Sequence, residues 1–176
     1  MPNLAEERKV ERARQAALDA LRVADLADTA YDDLTRAAAD IFRTPIALIT
    51  LVDGDRQWFK SRIGVEASGS AREIAFCSQA IKAPSEVMVV EDASLDARFA
   101  QNPFVTGDAH IRFYTGAPLV TSSGHPIGTL CVLDQKPRTV TSQQLEELRF
   151  LAQQVITTME RRKAEADGTA PAADPG

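Results

Sequence analysis

The sequence has few cysteines, few aromatic residues and no long apolar run. Cys77 and Cys131 are the only cysteines among 176 residues, and aromatic residues make up 6% of the chain. The N-terminal segment MPNLAEERKVERARQ is densely charged and lacks the apolar region of an export signal. We therefore predict free thiols without a disulfide, and a location in the cytoplasm. Because no stretch approaches about 18 consecutive apolar residues, we predict no membrane span.

Sequence motifs of common enzymes and metal sites are also absent. No GxxxxGK(S/T), GxSxG or HExxH occurs, which argues against a P-loop, an α/β-hydrolase nucleophile and a zinc protease. His110 and His125 are the only histidines, and no His/Cys pair has the spacing of metal ligands. We predict no catalytic residue and no metal site, and the sequence identifies no cofactor.

The charge balance excludes two kinds of partner. The formal net charge is -5 and the pI is about 5.1, so the chain offers no basic surface to nucleic-acid phosphates or anionic lipids. We predict binding to neither. Hydrophobic residues make up 44% and charged residues 26%, which is typical of a folded domain. The length suits one domain with appendages.

Long helices are predicted at both ends of the chain. Leu4 to Arg22 is rich in Ala, Glu and Arg, without Gly or Pro. Thr141 and Gln144 form a capping box that begins the last helix, which we expect to run to about Ala164. Both helices carry narrow apolar seams that favour pairing with another helix. The seams are Val10, Ala13, Ala17, Ala20 and Ala24, and Leu145, Leu148, Ala152, Val155 and Met159.

Between them, the apolar patterns predict a second helix and a set of short strands. The helix starts near Asp28 or Thr29 and ends before Pro45. Predicted strands cover 45–53, 57–64, 87–93, 111–120 and 127–134, with a short helix at 74–81 and a partly helical loop at 94–108. The order predicts an α+β fold with a mostly antiparallel sheet of about five to six strands.

The boundaries of these elements predict the domain organisation. We expect an N-terminal helix at 1–25 and one domain at 26–164 that includes the last helix. Residues 165–176 are small, polar and rich in Pro and Gly, so we expect a disordered tail there.

Four segments resemble the GAF domain family across about Ala30 to Met159. They are PIALITLVDGDRQWFKSRIG, FCSQAI, VVEDASLDARFAQNPFVTGDAHIRFYTGAPL and GHPIGTLCVLD. The match is to the version found in bacterial sensor histidine kinases and cyclic-dinucleotide signalling proteins. The resemblance implies a central antiparallel sheet with helices on one face and a ligand pocket over the other, roofed by the loops after FCSQAI. It also implies that the terminal helices pair with those of a second subunit.

The resemblance further implies which side chains approach the pocket. They are Trp58, Phe76, Cys77, Asp96, Phe99, Arg112, Tyr114, Thr129 and Cys131. Trp58 either stacks on a planar ligand or closes the core at its hairpin. Arg112 either clamps an anionic ligand or pairs with Asp92 or Asp96. Strand alternation places Arg112 and Tyr114 on one face and leaves open which face lines the pocket.

These observations predict a stand-alone sensory or ligand-binding module for signal transduction, as in two-component systems. It would act as a homodimer, or on a kinase or cyclase carried by a separate chain, in response to an unknown small molecule. One alternative is a thiol-dependent reductase similar to the free methionine sulfoxide reductases. The segment corresponding to their catalytic cysteine, Asp108 to Phe113, contains no cysteine. The other alternative is a ligand-free dimerisation scaffold.

Overall fold

The computed structural model describes residues 3–22 and 29–168 of the chain. At its centre is one antiparallel sheet of six strands in the order β3-β2-β1-β6-β5-β4. The strands are β1 (Ile46–Asp53), β2 (Arg56–Ile63), β3 (Gly69–Ala71), β4 (Met88–Val90), β5 (Phe113–Val120) and β6 (Pro126–Asp134). The predicted α+β fold and strand number are confirmed. β1 is buried on both faces because its sequence, IALITLVD, is almost wholly apolar.

Five helices complete the described part of the chain. They are α1 (Leu4–Leu21), α2 (Thr29–Phe42), α3 (Phe76–Ala80), α4 (Pro103–Thr106) and α5 (Ser142–Ala166). The predicted capping box is present, since the Thr141 hydroxyl accepts from the Gln144 amide and the Gln144 side chain accepts from the Thr141 amide. No helix in residues 3–22 and 29–168 is both long and apolar enough to cross a membrane.

Alternation along the strands divides the core into two layers. On one face Ala47, Ile49 and Leu51 of β1 join α2 and α5 in the larger cluster. On the other face Ile46 and Leu48 join a smaller cluster that includes side chains from α3 and from the loop before β5. The long helices therefore cover one face of the sheet, and only short helices and loops cover the other.

Within the described residues, Ala17 is the member of the predicted α1 seam that packs against the domain core. Val10 is 66% exposed, whereas Arg14, Leu18 and Leu21 are buried. Leucines bury more apolar area than the predicted alanines, so Leu18 and Leu21 decide which face docks. Ala24 lies outside the described residues.

Other element ends differ slightly from the predictions. α5 runs to Ala166, so positions 165 and 166 are helical rather than part of a tail, and residues 169–176 lie outside the described residues. β4 ends at Val90, before the predicted end, because Asp92 accepts a hydrogen bond from the Ser94 amide and caps a short turn. The predicted α5 seam packs within the domain, since Leu148, Ala152, Val155 and Met159 are buried in the larger core.

Candidate ligand-binding site

A cavity of about 430 Å³ lies on the sheet face that the long helices leave uncovered. Its floor consists of side chains from the central strands, and its walls come from α3, the loop between β2 and β3, and the segment before β5. The floor residues are Ile46, Leu48, Thr50, Gln57, Phe59, Tyr114, Cys131 and Leu133, and the wall residues include Val65, Glu66, Phe76, Cys77, Phe104 and Ile111. The lining is thus mostly apolar and aromatic.

The orientation of Phe76 depends on two other rings. The Phe76 ring is nearly parallel to that of Tyr114, at 15° and 5.2 Å between centroids, and lies 4.5 Å from the Phe99 ring. Such contacts favour one ring orientation. Phe99 is buried behind Phe76 and supports it rather than lining the cavity.

A chain of hydroxyl groups crosses the floor. The Tyr114 hydroxyl donates to Thr129 Oγ1 at 3.4 Å, and Thr129 Oγ1 lies 3.0 Å from Thr50 Oγ1. The Thr129 amide also donates to Thr50 Oγ1, at 3.2 Å. Burial raises the pKa of Tyr114 well above its ordinary value, so this phenol stays protonated at neutral pH.

Both cysteines face the cavity as buried thiols. Cys77 Sγ donates to Gln57 Oε1 at 2.8 Å, and Gln57 Nε2 donates to Ser70 Oγ at 2.7 Å. Burial raises the pKa of Cys77 to about 11 and that of Cys131 to about 12. Since the thiolate is the nucleophilic form, neither side chain is activated for attack at neutral pH.

Four of the nine predicted site residues line the cavity together: Phe76, Cys77, Tyr114 and Cys131. Thr129 lies next to it through its bond to Tyr114. Trp58 packs in the larger core on the opposite face, which agrees with its hairpin interpretation. Successive side chains of a strand point to opposite faces. Because Gln57 and Phe59 on either side of Trp58 face the cavity, Trp58 faces the opposite core.

The predicted pairings of Arg112 are wrong. Its guanidinium donates to the Val105 carbonyl at 2.9 Å and the Ile111 carbonyl at 3.0 Å. Asp96 instead pairs with Arg98 at 2.7 Å, and Asp92 caps its own turn. Val105 lies in the last turn of α4, where carbonyls lack partners within the helix, so Arg112 caps that helix and does not line the cavity.

Several lining residues were missed by the sequence reasoning. Thr50, Gln57 and Phe59 lie on the floor, and the loop 64–69 supplies a wall. A signal was present for Thr50, which is a hydroxyl residue within the apolar run of β1 and shares the strand face of Leu48. The loop carries no such signal, because its position over the sheet depends on how β3 pairs with β2.

The described residues hold no group of three His, Cys, Asp or Glu side chains that could bind a metal ion. A ligand-sized apolar cavity over one face of an antiparallel sheet, with helices on the other, defines a small sensory or ligand-binding domain. The chain belongs to the GAF domain family, whose model matches residues 27–159. The resemblance seen in the sequence is thereby confirmed.

One relative works in cyclic-dinucleotide signalling. Over 129 residues the chain is 45% identical to a cyclic di-GMP phosphodiesterase of Pseudomonas aeruginosa. The match takes in 73% of this chain and 22% of that protein, so the chain spans less than a quarter of its relative's length.

Solved structures share the fold at low identity. The GAF domain of an Acinetobacter phosphoenolpyruvate-protein phosphotransferase is 19% identical with a TM-score of 0.64, over 90% of this chain and 98% of that one. The free methionine-R-sulfoxide reductase of Neisseria meningitidis is 19% identical with a TM-score of 0.63, over 92% of each chain. A domain of a sensor histidine kinase from Sinorhizobium meliloti is 17% identical with a TM-score of 0.62, over 83% of this chain and 99% of that one. At this identity the likeness concerns the fold alone.

Proposed function

We propose that this GAF domain binds a small molecule in the cavity and passes the bound state through α1 to a second subunit or to an output protein such as a kinase or cyclase. The observation that carries the proposal is an ion-pair network that joins α1 to the segment entering the cavity wall. The cavity volume, about 430 Å³, falls in the range of ligand sites, which is about 300 to 1,000 Å³.

Arg72 is the residue that connects the cavity wall to α1. It lies in a short turn, Arg72–Ile74, immediately before α3, and its carbonyl accepts from the Ser78 hydroxyl at 2.7 Å. Its guanidinium donates to both carboxylate oxygens of Glu11, at 2.5 and 3.2 Å, and to the Gly54 carbonyl at 3.0 Å. A displacement of α3 by a ligand would therefore move an anchor of α1.

A second contact holds α1 against the hairpin between β1 and β2. Gln15 Nε2 donates to Asp53 Oδ1 at 2.7 Å, and the Gly54 amide donates to Gln15 Oε1 at 2.8 Å. Gly54 has a φ of 60°, which suits glycine in this tight turn. One contact of α1 reaches the turn that leads into α3 and the other reaches the end of β1, and both α3 and β1 carry cavity residues.

We further propose that a second copy of the chain pairs along α1 and α5. The exposed large hydrophobic side chains in the described part of the chain are Leu4, Val10, Leu95 and Phe150, and only Leu95 lies outside these helices. A pair of such helices would bury Leu4, Val10 and Phe150. Dimerisation would place α1 where a shift in one subunit reaches the other.

We propose no catalytic role for the domain. The buried thiols and their raised pKa values favour this over the reductase alternative. The phosphodiesterase activity in the relative's name belongs to a protein more than four times the length of the matched region. Location in the cytoplasm stays a prediction from the sequence.

Native mass spectrometry of protein purified from its own host tests whether the cavity holds a ligand. Val65→Trp should fill the cavity from its loop wall, and Val87→Trp makes the same exchange at a half-buried valine of the opposite core. We expect a noncovalent adduct in wild type and in Val87→Trp that Val65→Trp lacks. If wild type and Val65→Trp carry the same adducts, or none, the proposal is wrong.

Hydrogen exchange tests the route through α1. Removal of the adduct should change amide protection across Leu4–Leu21, and Arg72→Gln should abolish that change. Arg56→Gln, at an exposed arginine of β2, is the control and should keep it. Equal protection of α1 with and without the adduct would contradict the coupling while leaving ligand binding in place.

A further inference from the structure

We propose that the cavity accepts a flat, uncharged and mainly apolar molecule and discriminates against anions such as nucleotides. This inference rests on the proposed function, because it names the class of ligand for the same cavity. It follows from the charges, the paired donors and the rings that line the site.

The charges of the cavity lining disfavour an anionic ligand. Within the described residues the lining contains no Lys, Arg or His, and its one charged member is Glu66, an exposed carboxylate. A buried anion without a counter-ion loses its hydration and gains no compensating partner. Arg112, the cation that the sequence suggested for this role, is bonded to the carbonyls of Val105 and Ile111 instead.

The hydrogen-bond donors of the site provide the second argument. The Tyr114 hydroxyl already donates to Thr129, and the Cys77 thiol already donates to Gln57. Gln57 in turn donates one N–H of its amide to the Ser70 hydroxyl. An anion would therefore compete with bonds that Tyr114 and Cys77 already make within the protein. The polar groups that remain on the floor, the second N–H of Gln57 and one hydroxyl of the Thr50–Thr129 pair, are uncharged and suit a neutral polar group on the ligand.

The aromatic rings of the lining favour a flat ligand. Phe76 and Tyr114 lie nearly parallel, and Phe59 and Phe104 also contribute to the lining. Stacked or edge-on contacts with such rings favour flat molecules, whose rings pack at about 4.5 to 7 Å between centroids. Cyclic dinucleotides carry two phosphate charges, so the substrate in the Pseudomonas relative's name does not suit this cavity.

Two fluorescent dyes with a common aromatic frame test the inference. N-phenylnaphthylamine is neutral, and anilinonaphthalene sulfonate adds one negative charge. For the intact chain stripped of any adduct, we expect saturable binding of one neutral dye per chain, about tenfold tighter than binding of the sulfonate. Val65→Trp should weaken binding of the neutral dye by about tenfold, and Val87→Trp should not.

A charge reversal at the cavity edge tests whether the charge of the lining sets the preference for the neutral dye. Glu66→Lys should narrow or reverse the preference for the neutral dye, because it places a cation among the lining residues. Glu146→Lys makes the same change in net charge on exposed α5 and should leave the preference unaltered.

The outcomes separate the two proposals. Tighter binding of the sulfonate that is lost in Val65→Trp would overturn the ligand class and leave the proposed function standing. Failure of both dyes to bind, or binding that Val65→Trp does not alter, would overturn this inference. If the host-purified protein also lacks an adduct, the proposed function fails with it.

Discussion

Arg14 and Glu11, one turn apart on α1, form a bidentate ion pair in which Nε and Nη2 of the arginine each lie 2.9 Å from a carboxylate oxygen. Arg14 is only 3% exposed, so it depends on this carboxylate for its pairing. Arg72 donates to the same carboxylate from the cavity side. Burial alone would raise the pKa of Glu11, but the hydrogen bonds from Arg14 and Arg72 lower it from 4.5 to about 2.

Glu11→Gln should therefore destabilise the domain in a pH-dependent way. A carboxyl group whose pKa is lower in the folded than in the unfolded state stabilises the fold above pH 4.5, and that stability is lost as the pH falls toward 2. At neutral pH we expect a loss of about 2 kcal/mol, discounted for the partial exposure of Glu11. Urea unfolding of wild type and variant at pH 7 and pH 3 measures the difference, which should shrink at the lower pH.

Glu7→Gln, at an exposed acid of the same helix, is the control for helix charge and should have little effect at either pH. A Glu11→Gln deficit that is equally large at both pH values would show that the carboxylate charge is not the cause.

Cys77→Ala and Cys131→Ala should each cost about 1 kcal/mol through the loss of buried volume, with neutral-dye binding retained. In the folded wild type, iodoacetamide should label both thiols far more slowly than in urea, because their pKa values are about 11 and 12 and both are buried. Free glutathione provides the reference rate. Rapid labelling of the folded protein, or methionine sulfoxide turnover that the double variant lacks, would contradict a packing role.

Arg112→Ala should weaken the fold without weakening binding of the neutral dye. The variant loses hydrogen bonds to the Val105 and Ile111 carbonyls, for which we expect a cost of about 1 kcal/mol in thermal or urea unfolding. Arg98→Ala removes an arginine from an exposed loop and should have a smaller effect. Selective loss of ligand affinity with full stability would restore the anion-clamp interpretation of Arg112.

Val10→Glu and Phe150→Glu should convert a dimer into monomers. Light scattering of the wild type should give twice the chain mass of 19.1 kDa, and a specific interface should bury at least about 1,000 Å². Leu95→Glu removes a hydrophobic residue that is 84% exposed and lies outside both helices, so it should remain dimeric. A wild type that stays monomeric at high concentration would rule out the pairing.

Local sequence signals were enough to predict most elements of this fold. β1 follows from an almost continuous apolar run, and the start of α5 follows from Thr141 and Gln144 three positions apart. Each signal acts within a few residues of the chain, so no knowledge of distant partners is needed. Four ordered segments were also enough to recognise the GAF family, because each element keeps its place along the chain.

The tertiary structure decided the site and the docking of α1. Strand alternation predicted that Arg112 and Tyr114 lie on the same face of the sheet. However, β5 begins only at Phe113, so Arg112 is outside the strand and its guanidinium bonds to the end of α4. Likewise, α1 docks on the core through Leu18 and Leu21, and the surface that the helix meets decided this face, which the sequence pattern had not singled out. Most strands and helices follow from the amino-acid sequence, because those preferences are local. Only the packing of distant segments decided which side chains share a cavity.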